Sequence, residues 1–229
     1  MLKVPNSSFL LGTPSFAHNA SNLRLTVREE TFNLSAIRVL GKSILNKLEF
    51  GRKIMKTPEL ETDRLLLRTF RETDAEAVFY GWENDEEVAK YMFWTSHNDI
   101  EKTKQWIAKE MGRIDRDDWY RWALVKKDTN ELIGTGLIYY EEEVSCWEIG
   151  YNLGKKYWGH GYTTEAMERI LCFAKKQLNI AEVVGRYAKE NPSSGNVMKK
   201  LGFIYEADIP YECNKGKIMR EGIQCRLVL

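Results

Sequence analysis

The period of the hydrophobic pattern changes near residue 119, and that change restricts the folds open to this chain more than any other feature. Before it, apolar side chains recur at helical spacing. Ala75, Ala77, Val78 and Phe79 follow Asp74; Val88, Tyr91 and Met92 follow Asp85-Glu86-Glu87; Ile100, Thr103, Trp106, Ile107 and Met111 follow Asn98-Asp99. Each leading acidic or amide residue reads as an N-cap, whose side chain satisfies an orphan amide of the first turn. After residue 119 the alternation falls to two. Trp119 to Lys126, Leu132 to Tyr140 and Val144 to Leu153 read as a three-strand meander, with Asp128-Thr129-Asn130 as its first turn. The helical period returns from about Thr163 to Leu178, with Ala166, Met167, Ile170, Leu171 and Ala174 as the buried stripe. Val183 to Ala188 reads as a buried strand, Ser193 to Leu201 as a short helix, and Phe203 to Glu206 and Met219 to Leu229 as closing strands. With Leu60 to Phe70 as an opening strand, this order predicts an α/β (α+β) fold. It is a single domain of about 170 residues, with a mixed, mostly antiparallel sheet of about six or seven strands and helices on both faces.

Composition excludes several classes. In 229 residues, 12% aromatics is too many for a disordered chain, and 16 Gly with 5 Pro is too few for a collagen-like one. A net charge of +1 advertises no nucleic-acid partner, and the short, charge-interrupted apolar runs predict no membrane span. Cys146, Cys172, Cys213 and Cys225 form no C-x2-C pair, and His18, His97 and His160 are scattered. Neither a metal site nor a disulfide framework is expected; reduced thiols in a cytoplasmic setting are. Residues 1–54 stand apart. They hold none of the 7 Trp and carry 8 Lys/Arg against 3 Asp/Glu, a net of +5 that leaves −4 for residues 55–229. One weak amphipathic stretch runs from Ser35 to Glu49. Three readings are open for this N-terminal extension: a flexible tail, an Arg- and Ser-rich transit peptide, or upstream sequence before a start at Met55. Residues 55–229 are expected to carry the chemistry.

Two segments point to a ligand. In Lys156-Tyr157-Trp158-Gly159-His160-Gly161-Tyr162-Thr163-Thr164-Glu165, a strand hands over to a helix. Glycines one residue apart permit a tight turn and close approach to a ligand. Successive N–H groups there, with the orphan N–H groups of the helix start, form a cradle for an anion such as a pyrophosphate. About 30 residues on, Asn191-Pro192-Ser193-Ser194-Gly195-Asn196-Val197-Met198-Lys199-Lys200-Leu201-Gly202-Phe203 runs from a strand end through a short helix to a C′ glycine. Each segment by itself is equally an ordinary turn or cap.

Together, in this order and spacing, they resemble the GNAT superfamily of acetyl-CoA-dependent N-acetyltransferases. The first is similar to that family's R/Q-x-x-G-x-G/A pyrophosphate loop, the second to its N-x-x-S…G-F segment. The likeness spans residues 59–229. The stretches "ETDRLLLR" (Glu61 to Arg68), "WENDEEVAKYM" (Trp82 to Met92) and "WEIGY…YWGHGYTTEA" (Trp147 to Ala166) most resemble the branch that includes ribosomal-protein N-terminal alanine acetyltransferases. The resemblance implies that main-chain N–H groups of Gly159, His160, Gly161, Tyr162 and Thr163 hold the pyrophosphate of acetyl-CoA. It implies that the strand before the loop splays from its neighbour, so that the main chain of Ile149 and Tyr151 pairs with the pantetheine arm, which Asn191 also bonds. Two positions depart from the pattern: Lys156 stands for the usual Arg or Gln, and Met198 stands where many relatives carry a Tyr that protonates the leaving thiolate.

The activity so implied is direct transfer of an acetyl group from acetyl-CoA, a co-substrate, to a primary amine, with no metal. An amine attacks a thioester only when neutral, and an α-amine (pKa about 7.7–8) needs far less help than a lysine (about 10.4). A protein N-terminal α-amine is the favoured acceptor; a polyamine, amino sugar or amino acid is the alternative. A non-catalytic acyl-CoA sensor is the reading that Met198 motivates. Glu148 is the candidate base because its strand runs into the cofactor loop, although a solvated strand residue would look the same. Parity places it opposite Ile149 unless a bulge intervenes. A backbone N–H of that strand is expected to meet the oxyanion. Ser194 is the candidate proton donor to the thiolate, or simply a helix cap. Phe93 and Trp94, in a loop after a helix, are the expected substrate-binding wall. Trp106 and Trp122 read as core, His160 as a noncatalytic loop residue and His97 as surface. The expected partner is the amine acceptor, with no nucleic acid and no membrane, for a monomer or homodimer.

Overall fold

Thr62-Asp63-Arg64 interrupts the apolar run of the opening segment, and the chain reverses there instead of forming one strand. The Thr62 N–H donates to the Leu65 carbonyl at 2.9 Å, and Thr62 Oγ1 accepts from the Leu65 N–H at 2.9 Å. Strand β1 (Leu60–Glu61) therefore folds back antiparallel on β2 (Leu65–Arg68). The computed structural model describes residues 55–229; the extension 1–54 and its Ser35 to Glu49 stretch lie outside the described residues. β3 (Trp119–Lys126), β4 (Leu132–Glu141) and β5 (Cys146–Leu153) form the meander. β5 starts two residues later than read because Ser145 turns the chain in the left-handed region at φ 48°. β6 (Glu182–Ala188), β7 (Ile204–Cys213) and β8 (Ile218–Val228) complete one eight-stranded sheet in the order β1-β2-β3-β4-β5-β6-β8-β7. Among the described residues, only β5 beside β6 is parallel. The split of the opening segment takes the strand count above the six or seven expected. β7 also outruns its expected end at Glu206. It is an edge strand whose side chains mostly face solvent, so its residues carry no apolar alternation and pairing with β8 orders them.

Helices cover both faces. α1 (Ala75–Val78) passes into a single π turn (Phe79–Glu83), followed by α2 (Glu86–Ala89) and α3 (Ile100–Met111); α4 (Tyr162–Leu178) and α5 (Pro192–Lys200) come later. Strand parity sorts them. Tyr120, Trp122 and Leu124 of β3 pack with Met167, Ile170 and Phe173 of α4, whereas Ala123 packs with Val78, Trp82 and Ile107 on the other face. Trp122 is buried and Trp106 partly so, its ring set edge-on to Phe70 at 5.1 Å. Asp85 and Asp99 cap α2 and α3, accepting from Glu87 N–H at 2.8 Å and Glu101 N–H at 3.0 Å. α2 stops before Tyr91 and Met92 because tertiary partners claim them. The Tyr91 hydroxyl donates to the Glu190 carbonyl at 3.2 Å, and the Met92 carbonyl accepts from Asn214 N–H at 2.9 Å. Among the described residues, no helix is long and apolar enough to cross a membrane.

Asp74 does not cap α1 as its position suggested. Its carboxylate turns back to accept from Arg68 Nη1 and Nη2 at 2.7 and 2.8 Å and from the Arg71 N–H at 2.8 Å. Both side chains of the pair are buried. Removing one partner of a buried ion pair leaves the other charge uncompensated. Asp74→Ala is therefore expected to lower unfolding free energy by about 3–5 kcal/mol in a urea titration. A loss below about 1 kcal/mol would show that Arg68 reaches water.

Candidate active site

The seam between β5 and β6 organises the site. The two strands pair in parallel only at Trp147↔Val183 and Glu148↔Val184. Beyond that point β5 continues along β4, with Ile149 opposite Ile138 and Tyr151 opposite Gly136. β6 continues along β8, with Gly185 opposite Cys225 and Tyr187 opposite Ile223. The sheet thus parts just past Glu148, and the main chain of Ile149 to Tyr151 flanks the parting. Tyr151 spans it: the hydroxyl donates to the Ser194 carbonyl of α5 at 3.3 Å.

A single 3₁₀ turn (Lys155–Tyr157) joins β5 to the glycine-bearing turn. Gly159 and Gly161 sit at φ 78° and 80°, a region costly to side chains with a Cβ, and Gly161 is the N-cap residue of α4. A Cβ built on Gly159 would meet nothing within 4 Å, and one on Gly161 would meet only Arg64 Nη2 at 3.6 Å. The first N–H groups of α4, including those of Tyr162 and Thr163, have no intrahelical acceptors. The turn therefore has the open face and donor set an anion cradle requires. Two side chains of the turn are engaged by main-chain carbonyls. Trp158 Nε1 donates to the Leu153 carbonyl at 2.9 Å, and His160 Nδ1 folds back to the Trp158 carbonyl at 2.8 Å. Lys156 Nζ lies 3.2 Å from Glu131, an exposed pair worth little and easily exchanged for another anion.

Arg64, which sequence reasoning missed, ties the turn down. Its Nη1 donates to the His160 carbonyl at 3.1 Å, its Nε to Glu165 Oε2 at 2.6 Å, and its guanidinium lies 4.4 Å over the Tyr162 ring. Burial alone would raise the Glu165 carboxyl. The hydrogen bonds from Thr62, the Arg64 main chain and the guanidinium hold it below its ordinary value. The sequence signal was the run of charges Glu61, Asp63 and Arg64 inside an apparent strand. Arg64→Met is expected to weaken acetyl-CoA binding about three- to tenfold by calorimetry, the loss of one charge-assisted anchor. An unchanged affinity would mean the turn holds its shape without it.

Glu148 is not a solvated strand residue. It is buried, on the face away from α4, and accepts at Oε2 from Arg186 Nε at 2.9 Å and Nη2 at 2.5 Å. Tyr139, its register partner on β4, faces the same carboxylate. Burial pushes the Glu148 carboxyl above its ordinary value, against the pull of Arg186 and Tyr139. No bulge interrupts β5, so parity holds as read. Asn191 caps α5: Oδ1 accepts from Ser194 N–H at 3.2 Å, and Nδ2 donates to Ser194 Oγ at 3.2 Å. The Ser194 hydroxyl proton takes no part in that cap. Met198 is buried against Gly185, where an added Cβ would come within 2.6 Å of its Sδ.

Other elements hold the expected substrate wall. The Phe93 carbonyl accepts from Lys215 N–H in the turn joining β7 to β8, and its ring is exposed. Trp94 packs partly on the α1–α3 core, 6.3 Å from His97. His97 is not a surface residue. Its side chain is largely buried, with Nδ1 2.8 Å from Thr103 Oγ1 and Nε2 3.5 Å from Glu83. Burial lowers the His97 pKa and raises that of Glu83 to about 7, against the pull of Arg121. Among the described residues, no group of three or more His, Cys, Asp or Glu is placed to hold a metal.

Comparison with known proteins fits this geometry. The profile described as "Acetyltransferase (GNAT) domain" matches residues 64–204. The uncharacterized N-acetyltransferase YoaA of Bacillus subtilis is 29% identical over 71% of this chain and 97% of its own length. The uncharacterized N-acetyltransferase p20 of Bacillus licheniformis is 31% identical over 70% of this chain and 90% of its own. The crystal structure of the ribosomal-protein-S5-alanine acetyltransferase from Vibrio fischeri superposes with a TM-score of 0.64 at 19% identity, covering 75% of this chain and 96% of that one.

Proposed function

We infer the acceptor from a fixed premise: this chain belongs to the GNAT acetyltransferase family. It is an N-acetyltransferase that uses acetyl-CoA, and its acceptor is the α-amine at the N-terminus of a protein. The observation that carries this reading is the parting of β5 from β6 at Glu148, which sets one buried carboxylate beside a strand edge that runs into the anion cradle. Main-chain N–H groups from Gly159 to Thr163 take the pyrophosphate oxygens, and the β5 edge at Ile149 and Tyr151, with Asn191, lines the pantetheine arm. Glu148 removes the ammonium proton through water. The neutral nitrogen attacks the thioester carbonyl and forms the C–N bond, a β5 N–H meets the resulting oxyanion, and the C–S bond breaks as that oxyanion collapses. The nitrogen loses its second proton as the amide forms, and that proton passes through the Ser194 hydroxyl to the thiolate, so that one proton leaves on Glu148 and the other on coenzyme A; Met198, buried and without a proton to give, has no part.

One carboxylate suffices for an α-amine, whose pKa of about 7.7–8 already leaves a neutral fraction at pH 7. The exposed Phe93 ring gives an open rim suited to a chain end presented by a larger partner. The fold likeness to a ribosomal-protein-S5-alanine acetyltransferase supports the same class. Thiol release from acetyl-CoA tests it, with peptides beginning in Ala or Ser, the same peptides N-acetylated, a polyamine and an amino sugar. Turnover is expected with free α-amines and none with blocked peptides that retain lysine. Turnover of the polyamine or sugar alone would overturn the acceptor assignment.

A further inference from the structure

Arg186 lies on β6 two residues past the last pairing with β5, and its side chain leans back across the seam. Nε and Nη2 both bond Oε2 of Glu148, and Nη2 lies 3.3 Å from Oε2 of Glu141 on β4. Neither Glu148 bond uses Oε1. A guanidinium is a rigid planar fork, so this contact fixes the orientation of a carboxylate as well as its charge. We propose that Arg186 is a positioning residue for acetyl transfer: by holding Oε2 it keeps Glu148 ionised and fixes the orientation of the carboxylate that takes the proton of the acceptor amine. The proposal rests on the reading of Glu148 as the base.

The groups facing Glu148 are Tyr139 and Glu141 from β4, Arg186 from β6 and Tyr211 from β7. Burial raises both phenols, Tyr211 to about 12, so they stay neutral over the working range. Glu141 is a second carboxylate sharing the guanidinium. Within this set, Arg186 supplies the positive charge. The sign follows. A base works deprotonated, burial favours the protonated carboxyl, and the guanidinium opposes that. Neutralising Arg186 therefore moves the protonation midpoint of Glu148 to higher pH, and the acidic limb of kcat with it. Removing Glu141 moves both to lower pH.

The test uses Arg186→Gln, Arg186→Lys and Glu141→Gln in the full chain, with two readouts. One is the carboxyl-carbon NMR titration of Glu148 in the free protein, its resonance identified by its loss in Glu148→Gln. The other is the pH profile of kcat with acetyl-CoA and an accepted peptide. In Arg186→Gln both midpoints are expected to rise by about one pH unit or more, the scale of an opposite charge at this range. The KM for acetyl-CoA stays within about twofold, because Arg186 lies outside the cofactor turn. Arg186→Lys restores the charge and brings both midpoints most of the way back. Should Arg186→Gln fail to fold, the downward shift in Glu141→Gln carries the test. Unmoved Glu148 midpoints in the folded variants overturn the proposal. A moved carboxyl with an unmoved kcat limb overturns Glu148 as the base, and with it any part for Arg186 in transfer, while its hold on the carboxylate stands.

Discussion

Gly161→Val is expected to bind acetyl-CoA about tenfold to 100-fold more weakly than the wild type. The residue sits at φ 80° and is the N-cap residue of α4. A β-branched side chain in the left-handed region is strained by about 1–3 kcal/mol, and about 1.4 kcal/mol is a factor of ten in affinity. The turn relieves that strain by rotating the peptides whose N–H groups form the cradle, so the cost falls on the ligand. Calorimetric titration reads the affinity, and thermal melting reads how much of the strain goes into stability. Gly216→Ala is the control. It also has a positive φ, 75°, but lies in the turn joining β7 to β8, and it is expected to lower Tm with acetyl-CoA affinity unchanged. Equal losses of affinity in both variants would mean that the effect is general destabilisation and not a property of the cradle.

Glu148→Gln is expected to lower kcat by about 10²- to 10⁴-fold, the usual weight of a general base, with little change in the KM for acetyl-CoA. Gln keeps the shape of the side chain and an oxygen for Arg186, but it cannot take a proton at any working pH. Glu148 is buried and paired with Arg186, so the substitution is expected to change stability as well, and melting is measured alongside. A kcat at the wild-type level, in a folded variant saturated with both substrates, removes Glu148 from the chemistry.

The sequence made the frame legible where a face is buried. Tyr120, Trp122 and Leu124 recur at period two on the face that packs against α4, and Ala166, Met167, Ile170, Leu171 and Ala174 recur at the helical period, so periodicity reads these elements. Where tertiary contacts decide, periodicity fails. Tyr91 and Met92 left their helix for the distant partners Glu190 and Asn214, Asp74 gave up a cap for Arg68, and β7 is ordered by its neighbour, not by a core face. The candidate site divides in the same way. The glycine turn and Asn191 were visible because main-chain geometry demands those residue types locally. Arg64, Arg186 and Tyr139 were not, because each acts on a residue brought near only by the tertiary fold: Arg64 bonds Glu165, 101 positions away, and Arg186 bonds Glu148, 38 positions away.

The most direct test of the cradle is a titration of the uniformly ¹⁵N-labelled chain with acetyl-CoA, following backbone amides. The largest shifts are expected at Gly159, His160, Gly161, Tyr162 and Thr163, with a second group at Ile149 and Tyr151. Saturation with those amides unmoved, and the shifts gathered on another surface, would contradict it.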